Sequence, residues 1–323
     1  MAMSGLWKTL KVAAKKKEAD DIVSFELIDP AGEPLPRFSA GAHIDVEIAP
    51  DLVRQYSLCN APRERCRYLI GVLRERASRG GSTTLVDTVE PGAFVRTSEP
   101  RNHFALDLSA TRVVLMAGGI GITPILCMAE HLAITSTPFE LHYCTRSRAR
   151  AAFFDRIRRS PFSNRTCFYF DDAARSMQLD LSETLKQPGP GDHLYVCGPN
   201  GFIEAVLSGA DCTGWRPEQL HKEFFTPTTD TLRADDAFEV EIASTGTRFT
   251  VPANRSVLDV LLANGIEIPM SCEQGVCGTC VTGVLNGVPD HRDMFMTDEE
   301  HARNDQFTPC CSRAKSDLLV LDL

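Results

Sequence analysis

Three cysteines near the C-terminus form the most chemically specific pattern in this 323-residue sequence. Cys272, Cys277 and Cys280 follow a C-x4-C-x2-C spacing, and Cys310 and Cys311 come about thirty positions later. Four thiolates hold a [2Fe–2S] cluster, and the plant-type spacing has three of them in one loop and a distant fourth. Zinc knuckles usually show two short cysteine clips instead. The spacing therefore predicts a [2Fe–2S] cluster and leaves the fourth ligand open between Cys310 and Cys311.

Two glycine-containing turns, each between an apolar strand and a helical stretch, predict a pyridine-nucleotide site. They occupy residues 118–124 and 197–202. A turn of this kind lets the backbone approach a pyrophosphate, and Pro124 suits the first position of a helix. The G-x-G-x-x-G fingerprint is absent, and the second strand is followed by Arg146 and Arg148 instead of an acidic ribose-binding residue. These arginines suit a 2′-phosphate, as in NADPH, or the adenosine of NADH.

A third pattern, Arg54-x-Tyr56-Ser57-Leu58, lies on a predicted strand upstream of both turns. This pattern resembles the flavin site of the ferredoxin–NADP reductase superfamily. The resemblance implies that the tyrosine packs on the flavin ring, the serine hydroxyl reaches a ring nitrogen and the arginine binds phosphate, and each residue type suits its task. Residues 79–83 add backbone N–H groups, hydroxyls and a cation, which together suit one phosphate. Taken alone, the strand would read as a surface edge; its place before a nucleotide domain favours a flavin site.

The elements that must position these residues change in pattern twice along the chain. Short alternating strands up to residue 108 predict an antiparallel β-barrel. From residue 112 to 225, apolar strands alternate with helical stretches, which is typical of a parallel α/β sheet. After a polar linker come a hairpin, a helix over 256–264 and the cysteine loop, which predict an α+β domain. The prediction is a multidomain protein with a barrel over 1–108, a nucleotide domain over 109–226, a linker over 227–236 and a third domain over 237–323.

Composition and charge narrow the function classes. No apolar run is long enough for a transmembrane helix, and the N-terminus does not resemble a secretory signal, so we expect a cytoplasmic protein. The other seven cysteines are scattered and are expected to be inert. The chain has a net charge of −9, all of it carried by residues 235–323. This asymmetry suits either solubility or docking of a basic protein partner, and it argues against nucleic acid.

The order of these motifs resembles the phthalate dioxygenase reductase and vanillate O-demethylase reductase family, in which FMN, nicotinamide and plant-type ferredoxin (β-grasp) domains share one chain. The family's ferredoxin tail carries a pattern like residues 290–293 here, followed by one like residues 310–314. The resemblance implies that Cys310 is the fourth cluster ligand. It further implies that NADH, rather than NADPH, delivers a hydride at a pocket of Thr123 and Cys197 to a flavin edge held by Ser57, and that single electrons then pass to the cluster.

The resemblance also implies the remaining contacts and the partner. The expected partner is an oxygenase, of the Rieske non-haem iron type, that docks near the acidic ferredoxin domain. Three alternatives stay open: a cytochrome P450 partner, a free-standing quinone or ferric reductase, and a binding module with decayed sites and a structural zinc. The expected flavin and nucleotide contacts are Arg54, Tyr56, Ser57, Gly71, Arg79, Gly80, Gly81, Ser82, Gly119, Gly121, Thr123, Arg146, Cys197, Gly198, Pro199 and Phe225.

Overall fold

A computed structural model of the chain describes residues 7–49, 52–75, 80–174, 178–225, 236–270 and 272–323. The chain divides into two compact units, Met1–Glu223 and Phe224–Leu323. The first unit contains both an antiparallel and a parallel sheet, and the predicted boundary between them at residue 108 stays a prediction. Most of the predicted linker lies outside the described residues. Among the described residues, no helix is both long and apolar enough to cross a membrane.

Six antiparallel strands form the first sheet: β1 (Lys8–Ala19), β2 (Ile22–Ile28), β3 (His43–Ala49), β4 (Leu52–Ser57), β5 (Tyr68–Leu73) and β6 (Phe94–Thr97). Their order is β4-β3-β6-β1-β2-β5. A bridge between Leu58 and Ile70 joins the two outer strands, which closes the sheet on itself. The enclosed core is apolar, with Phe25, Ile44 and Val72 fully buried. The antiparallel barrel predicted from the short strands is therefore confirmed. Helix α1 (Gly81–Thr88) follows β5.

Strand β1 was not predicted from the sequence. Its composition, rich in lysine and alanine, has little intrinsic preference for a strand. The strand forms because it pairs with β2 on one side and with β6 on the other. Leu10 and Val12 point into the core, whereas Lys11, Lys16 and Lys17 are exposed. Tertiary pairing thus overrides local propensity here.

A five-stranded sheet follows in the same unit, built from β7 (Arg112–Gly118), α2 (Ile122–Thr135), β8 (Phe139–Thr145), α3 (Phe154–Arg158), β9 (Thr166–Phe170), α4 (Leu181–Thr184), β10 (Asp192–Gly198), α5 (Asn200–Cys212) and β11 (Leu220–Phe224). The strand order is β11-β10-β7-β8-β9. Strands β10, β7, β8 and β9 are parallel, as predicted. Their carboxyl ends therefore meet at one edge, where ligands bind in open α/β sheets.

The second unit contains β12 (Phe238–Ile242), β13 (Thr247–Val251), α6 (Val257–Ala263), β14 (Thr282–Asn286), β15 (Pro289–Asp290), α7 (Asp298–Arg303), β16 (Gln306–Phe307), β17 (Arg313–Ala314) and β18 (Leu318–Leu321). Its main sheet has the order β13-β12-β18-β14-β16, with β12 and β18 parallel. Ser256 begins α6 with a capping box, accepting a hydrogen bond from the Asp259 N–H. Helix and sheet share one apolar core, so the predicted α+β domain is confirmed.

Candidate functional site

The cysteine loop between α6 and β14 holds three thiols in a buried, hydrogen-bonded arrangement. Cys272, Cys277 and Cys280 are each less than a tenth exposed. Backbone N–H groups point at the sulfurs: Gln274 N lies 3.3 Å from Cys272 Sγ, and Thr279 N lies 3.4 Å from Cys277 Sγ. Such donors stabilise thiolates and the sulfurs of an iron–sulfur cluster. The chemistry of the donor set thus fits a [2Fe–2S] group.

Two glycines let this loop close tightly. Gly275 and Gly278 have φ angles of +71° and +68°, a left-handed region that other residues rarely adopt. A Cβ on Gly275 would lie 2.4 Å from Cys311 Sγ, and one on Gly278 would lie 2.2 Å from the Phe295 ring. No side chain fits at either position. The loop backbone therefore packs directly against Cys311 and Phe295.

The two candidates for the fourth ligand have different surroundings. The Cys310 thiol interacts both with Cys280 of the loop and with the neighbouring Cys311. Cys311 contacts Cys310 and a group of hydroxyls, with its Sγ 3.3 Å from Thr308 Oγ1 and close to Gly275. This geometry supports Cys310 as the ligand, with Cys311 as a neighbouring thiol.

The two nucleotide-binding turns, predicted from separate parts of the sequence, pack against each other. Strands β7 and β10 are adjacent and parallel, with Ala117 opposite Cys197. A Cβ on Gly121 would lie 2.2 Å from the Cys197 carbonyl oxygen, and one on Gly198 would lie 2.9 Å from the Gly118 Cα. Gly119, at φ +54°, has open space beside it. Pro199 precedes α5 as its N-cap residue, and α2 begins just after Gly121. The glycines thus allow two backbones to meet at the carboxyl edge of the sheet.

The flavin strands and the nucleotide turns also meet directly. A Cβ on Gly71, in β5, would lie 2.8 Å from Thr123 Cγ2 and 3.2 Å from the Phe153 ring. Thr123 is buried, and its hydroxyl donates to the Ile120 carbonyl at 3.0 Å. Because Gly71 lacks a side chain, the Thr123 and Phe153 side chains pack directly on the backbone of β5 here. Phe153 was not among the predicted residues.

The predicted flavin residues on β4 lie together near the start of α1. A Cβ on Gly81 would lie 2.9 Å from Arg54 Nε, so the guanidinium lies over the first residue of that helix. Ser57 is buried, and the buried Tyr56 Oη has no hydrogen-bond partner among the described residues. Burial raises the Tyr56 pKa, which keeps the phenol protonated and able to donate. An unsatisfied donor beside a helix start and a guanidinium fits a flavin and its phosphate.

The remaining predicted phosphate contacts follow β5. Gly80 is the N-cap of α1 at φ +94°, a conformation that favours glycine. The Ser82 hydroxyl accepts a hydrogen bond from Glu75 N at 3.1 Å. Arg79 lies outside the described residues.

The predicted adenosine-side arginines follow β8 at the same edge of the parallel sheet. Arg146 is exposed directly after the strand, and Arg148 stacks on the Phe154 ring at 4.7 Å. Both positions are compatible with either nucleotide. Phe225 follows β11 and falls in the second unit, so its contact with a flavin stays a prediction.

The sequence prediction missed a buried carboxyl at the end of the first unit. Glu223, on β11, has a buried Oε2 atom without a hydrogen-bond partner among the described residues. Burial raises its pKa to about 8, and its charge in turn raises the pKa of Cys197. Glu223 therefore lies near the nucleotide turns. The sequence could have indicated Glu223, because this carboxyl precedes Phe224 and Phe225 near the end of a strand.

Cys197 contributes its shape and its backbone more than thiolate reactivity. The side chain is completely buried, and burial raises its pKa well above the ordinary value. A thiol in this state is a weak nucleophile. Any catalytic role of Cys197 therefore lies in packing against a nucleotide, which agrees with the close approach of its carbonyl to Gly121.

Comparison with known proteins gives a family for the whole chain. Residues 240–315 match the 2Fe-2S iron-sulfur cluster binding domain. Over 313 residues the sequence is 54% identical to vanillate O-demethylase oxidoreductase of Pseudomonas putida, covering 97% of this chain and 98% of that protein. The chain belongs to the family of vanillate O-demethylase oxidoreductases and phthalate dioxygenase reductases.

Solved structures agree with this membership. Phthalate dioxygenase reductase, described as a modular structure for electron transfer from pyridine nucleotides to [2Fe-2S], matches with a TM-score of 0.78 and 41% identity over 98% of both chains. An intact type IV self-sufficient cytochrome P450 monooxygenase matches with a TM-score of 0.83 and 39% identity, covering 98% of this chain and 41% of that one. The chain is thus an electron-transferring oxidoreductase, and its membership supports FMN, NADH and a [2Fe–2S] cluster as cofactors.

Proposed function

We propose that this chain is the reductase component of a two-component, Rieske-type aromatic oxygenase or demethylase. It would pass electrons from NADH, by way of FMN and the [2Fe–2S] cluster, to the oxygenase. The observation that carries the proposal is the approach of Gly71 to Thr123, because it brings the strand after the flavin motif to the turn that follows β7. Membership of a family of named reductases supports the same reading.

The residues of the first unit have distinct proposed tasks. A flavin supplies the one chemical property that this chain's side chains lack, which is to accept two electrons as hydride and release them singly. Ser57 and Tyr56 would orient its ring, and Arg54 with the start of α1 would bind its phosphate. Thr123, Gly198 and Pro199 would hold the nicotinamide, and the buried walls around Thr123 and Cys197 would exclude water. The exposed Arg146 would meet the adenosine side.

Cys272, Cys277, Cys280 and Cys310 would hold the cluster in the second unit. The oxygenase would dock on this unit near the loop. Phe295 covers Gly278 and is about a third exposed, and Asp298 and Glu299 are exposed nearby in sequence, on the first turn of α7. Carboxylates around an apolar contact suit a partner with a basic rim. We also propose the cytoplasm as the compartment, since none of the twelve cysteines forms a disulfide.

The test is an anaerobic titration of the purified protein with NADH, followed in the visible spectrum. The proposal predicts that flavin and iron–sulfur absorption bleach together. A parallel titration with NADPH should be much slower. Reduction of the flavin without any cluster signal would contradict the cluster assignment, and a response to NADPH alone would contradict the nucleotide assignment.

The partner needs a separate experiment, because related modules serve different partners. The P450 monooxygenase that matches this chain carries a similar module within its own sequence, which keeps a P450 partner as a second candidate. Reconstitution with a purified Rieske oxygenase should give NADH-dependent product formation that weakens with rising salt. High turnover with quinones or ferric salts, together with no transfer to either class of oxygenase, would identify a free-standing reductase instead.

A further inference from the structure

Two imidazoles and a carboxyl converge in the second unit, between β15 and the end of α7. His291, Asp293 and His301 each turn one ligand atom toward the others, and these atoms all lie within 4.8 Å of one another. Asp293 Oδ1 is 3.2 Å from His301 Nε2 and 4.0 Å from His291 Nδ1. The two imidazole rings stack with centroids 4.4 Å apart. None of these residues belongs to the cysteine loop.

The hydrogen bonds of His291 fix which of its nitrogens is free. Asn304 Nδ2 donates to the Ala302 carbonyl, which orients the amide and turns its oxygen toward His291 Nε2, 3.3 Å away. Since that oxygen only accepts, Nε2 carries the proton and Nδ1 presents a lone pair. His291 Nδ1 is buried and has no hydrogen-bond partner among the described residues. Burial, with the nearby His301, lowers the His291 pKa and so favours this neutral form.

Asp293 is the third member of this cluster, and neither lysine nor arginine pairs with it among the described residues. Its side chain is fully buried, and the ion-pair partners it has in the described part of the chain are the two imidazoles. Oδ2 accepts from Met296 N at 2.8 Å, while Oδ1 lies beside both rings and also accepts from the Ser312 hydroxyl at 3.5 Å. His301 Nε2 is within hydrogen-bond distance of this oxygen, whereas the His291 Nδ1 lone pair faces it at 4.0 Å without a hydrogen bond. Buried groups of this kind are normally paired or coordinate a cation.

We propose that His291, Asp293 and His301 bind a divalent transition-metal cation of the zinc class, with water as the fourth ligand. Two imidazoles and one carboxylate are a donor set that zinc accepts, whereas magnesium and calcium prefer oxygen ligands alone. Ligand atoms around tetrahedral zinc lie about 3.3 Å apart, a separation that Asp293 Oδ1 and His301 Nε2 already have. His291 Nδ1 must move closer, and the stacked rings must tilt so that both lone pairs point at the ion. Asn304 supports His291 from behind, as outer hydrogen bonds commonly do at metal-bound histidines.

The site lies directly behind the cysteine loop. Met294 N donates to the Gly275 carbonyl at 2.9 Å, and a Cβ on Gly275 would lie 3.1 Å from the Asp293 Cα. A dication at the site would therefore add positive charge close to the iron–sulfur group. Positive charge favours the reduced cluster, which carries one more electron, so the midpoint potential should move to more positive values when the cation binds.

The first measurement is metal content. Cluster-loaded protein is dialysed against micromolar zinc chloride, and zinc and iron are counted per chain by mass spectrometry. The proposal predicts about one zinc ion per chain with no loss of iron. His291→Gln and His301→Gln should each weaken zinc binding at least about tenfold, while His131→Gln, on α2 in the other unit, should not change it. Asp293→Asn, which keeps the side-chain volume, tests the carboxylate independently, and the visible spectrum checks that each variant retains its cluster.

The second measurement is the cluster midpoint potential with and without zinc. A positive shift in the wild-type protein, absent from both histidine variants, would support the assignment without reference to catalytic turnover. Equal zinc binding by the wild-type protein and all variants, or no binding at all, would overturn it. So would uptake of zinc in proportion to loss of iron, since the zinc would then occupy the cysteine loop. The zinc count does not depend on the proposed electron-transfer role, so either hypothesis can fail alone.

Discussion

The two redox regions of this chain are built in opposite ways. The cysteine loop places three of its four sulfurs within nine consecutive residues, and its glycines and backbone donors come from the same segment. The meeting point of flavin and nucleotide residues is assembled from Gly71, Thr123, Phe153, Cys197 and Glu223, which belong to distant parts of the first unit. A local site depends mainly on which residues are present, whereas an assembled site depends on how closely separate elements approach.

The strongest test of this contrast is a set of cysteine variants. Cys280→Ser or Cys310→Ser should abolish the cluster, because serine is a poor ligand in place of a thiolate. NADH-driven reduction of the flavin should remain, because most of the proposed flavin and nucleotide residues belong to the first unit. Cys311→Ser is the matched control and should keep the cluster. Visible absorption and iron content decide the outcome, and loss of the cluster in Cys311→Ser alone would reverse the ligand assignment.

A smaller but still large effect is expected from one methyl group at the assembled site. In Gly121→Ala the new Cβ would lie 2.2 Å from the Cys197 carbonyl oxygen, so the two turns must separate. We expect a loss of about 3 kcal/mol in the stability of the first unit and slow flavin reduction by NADH. Thermal release of flavin fluorescence and stopped-flow absorption measure the two effects.

Gly201→Ala is the control for that variant. Nothing lies within 4 Å of its new Cβ, and alanine is the better residue inside helix α5. Equal behaviour of the two variants would show that the close approach of the turns has no functional importance.

Glu223 provides a pH-dependent test. Its pKa is about 8 in the folded protein against 4.5 normally, so the folded state retains a proton that the unfolded chain releases. The contribution of Glu223 to the free energy of unfolding is therefore fully present below pH 4.5 and is lost as the pH rises through 8. Glu223→Gln removes the titration, so the variant should gain on the wild-type protein between pH 5 and pH 8, by on the order of 2 kcal/mol after allowance for partial exposure.

Flavin-release temperatures across that pH range measure the difference. Glu218→Gln, an exposed carboxyl just before β11, serves as the control and should leave the pH profile unchanged. A constant difference between Glu223→Gln and wild type at every pH would show that Glu223 is not buried as described.

The smallest expected effect concerns the helix that precedes the cysteine loop. Ser256 caps α6 by accepting from Asp259 N at 3.0 Å, so Ser256→Ala should cost about 1 kcal/mol. Thermal loss of cluster absorption should occur at a lower temperature, while the flavin-release temperature of the first unit should not change. Ser244→Ala, at the β12–β13 turn, is a suitable control. A shift in both transitions would mean that the two units unfold together.

The sequence was sufficient wherever chemistry and spacing are local. The cysteine spacing, the glycine turns and the capped helix α6 each specify their own structure, so these predictions agree with the fold. Strand β1 was missed because its lysines and alanines carry no strand signal before β2 and β6 pair with it. Phe153 and Glu223 were missed because their importance arises from neighbours far away in sequence. Of the His291–Asp293–His301 cluster, only His291 and Asp293 lie within the family pattern found in the sequence. His301 was missed, because its contacts with the other two exist only in the folded chain.

Because some thiols of the chain are buried and others are exposed, a fluorescent dye can be attached at chosen positions to measure distances. Burial raises the pKa of Cys59, Cys127 and Cys197, which leaves them inert toward maleimides at neutral pH. The exposed thiols are Cys66, Cys167 and Cys212, and all three lie in the first unit. A dye can therefore be attached to one unit of the native protein. Removing two of these thiols and adding one on the second unit would create a donor–acceptor pair that reports the distance between the units during electron transfer.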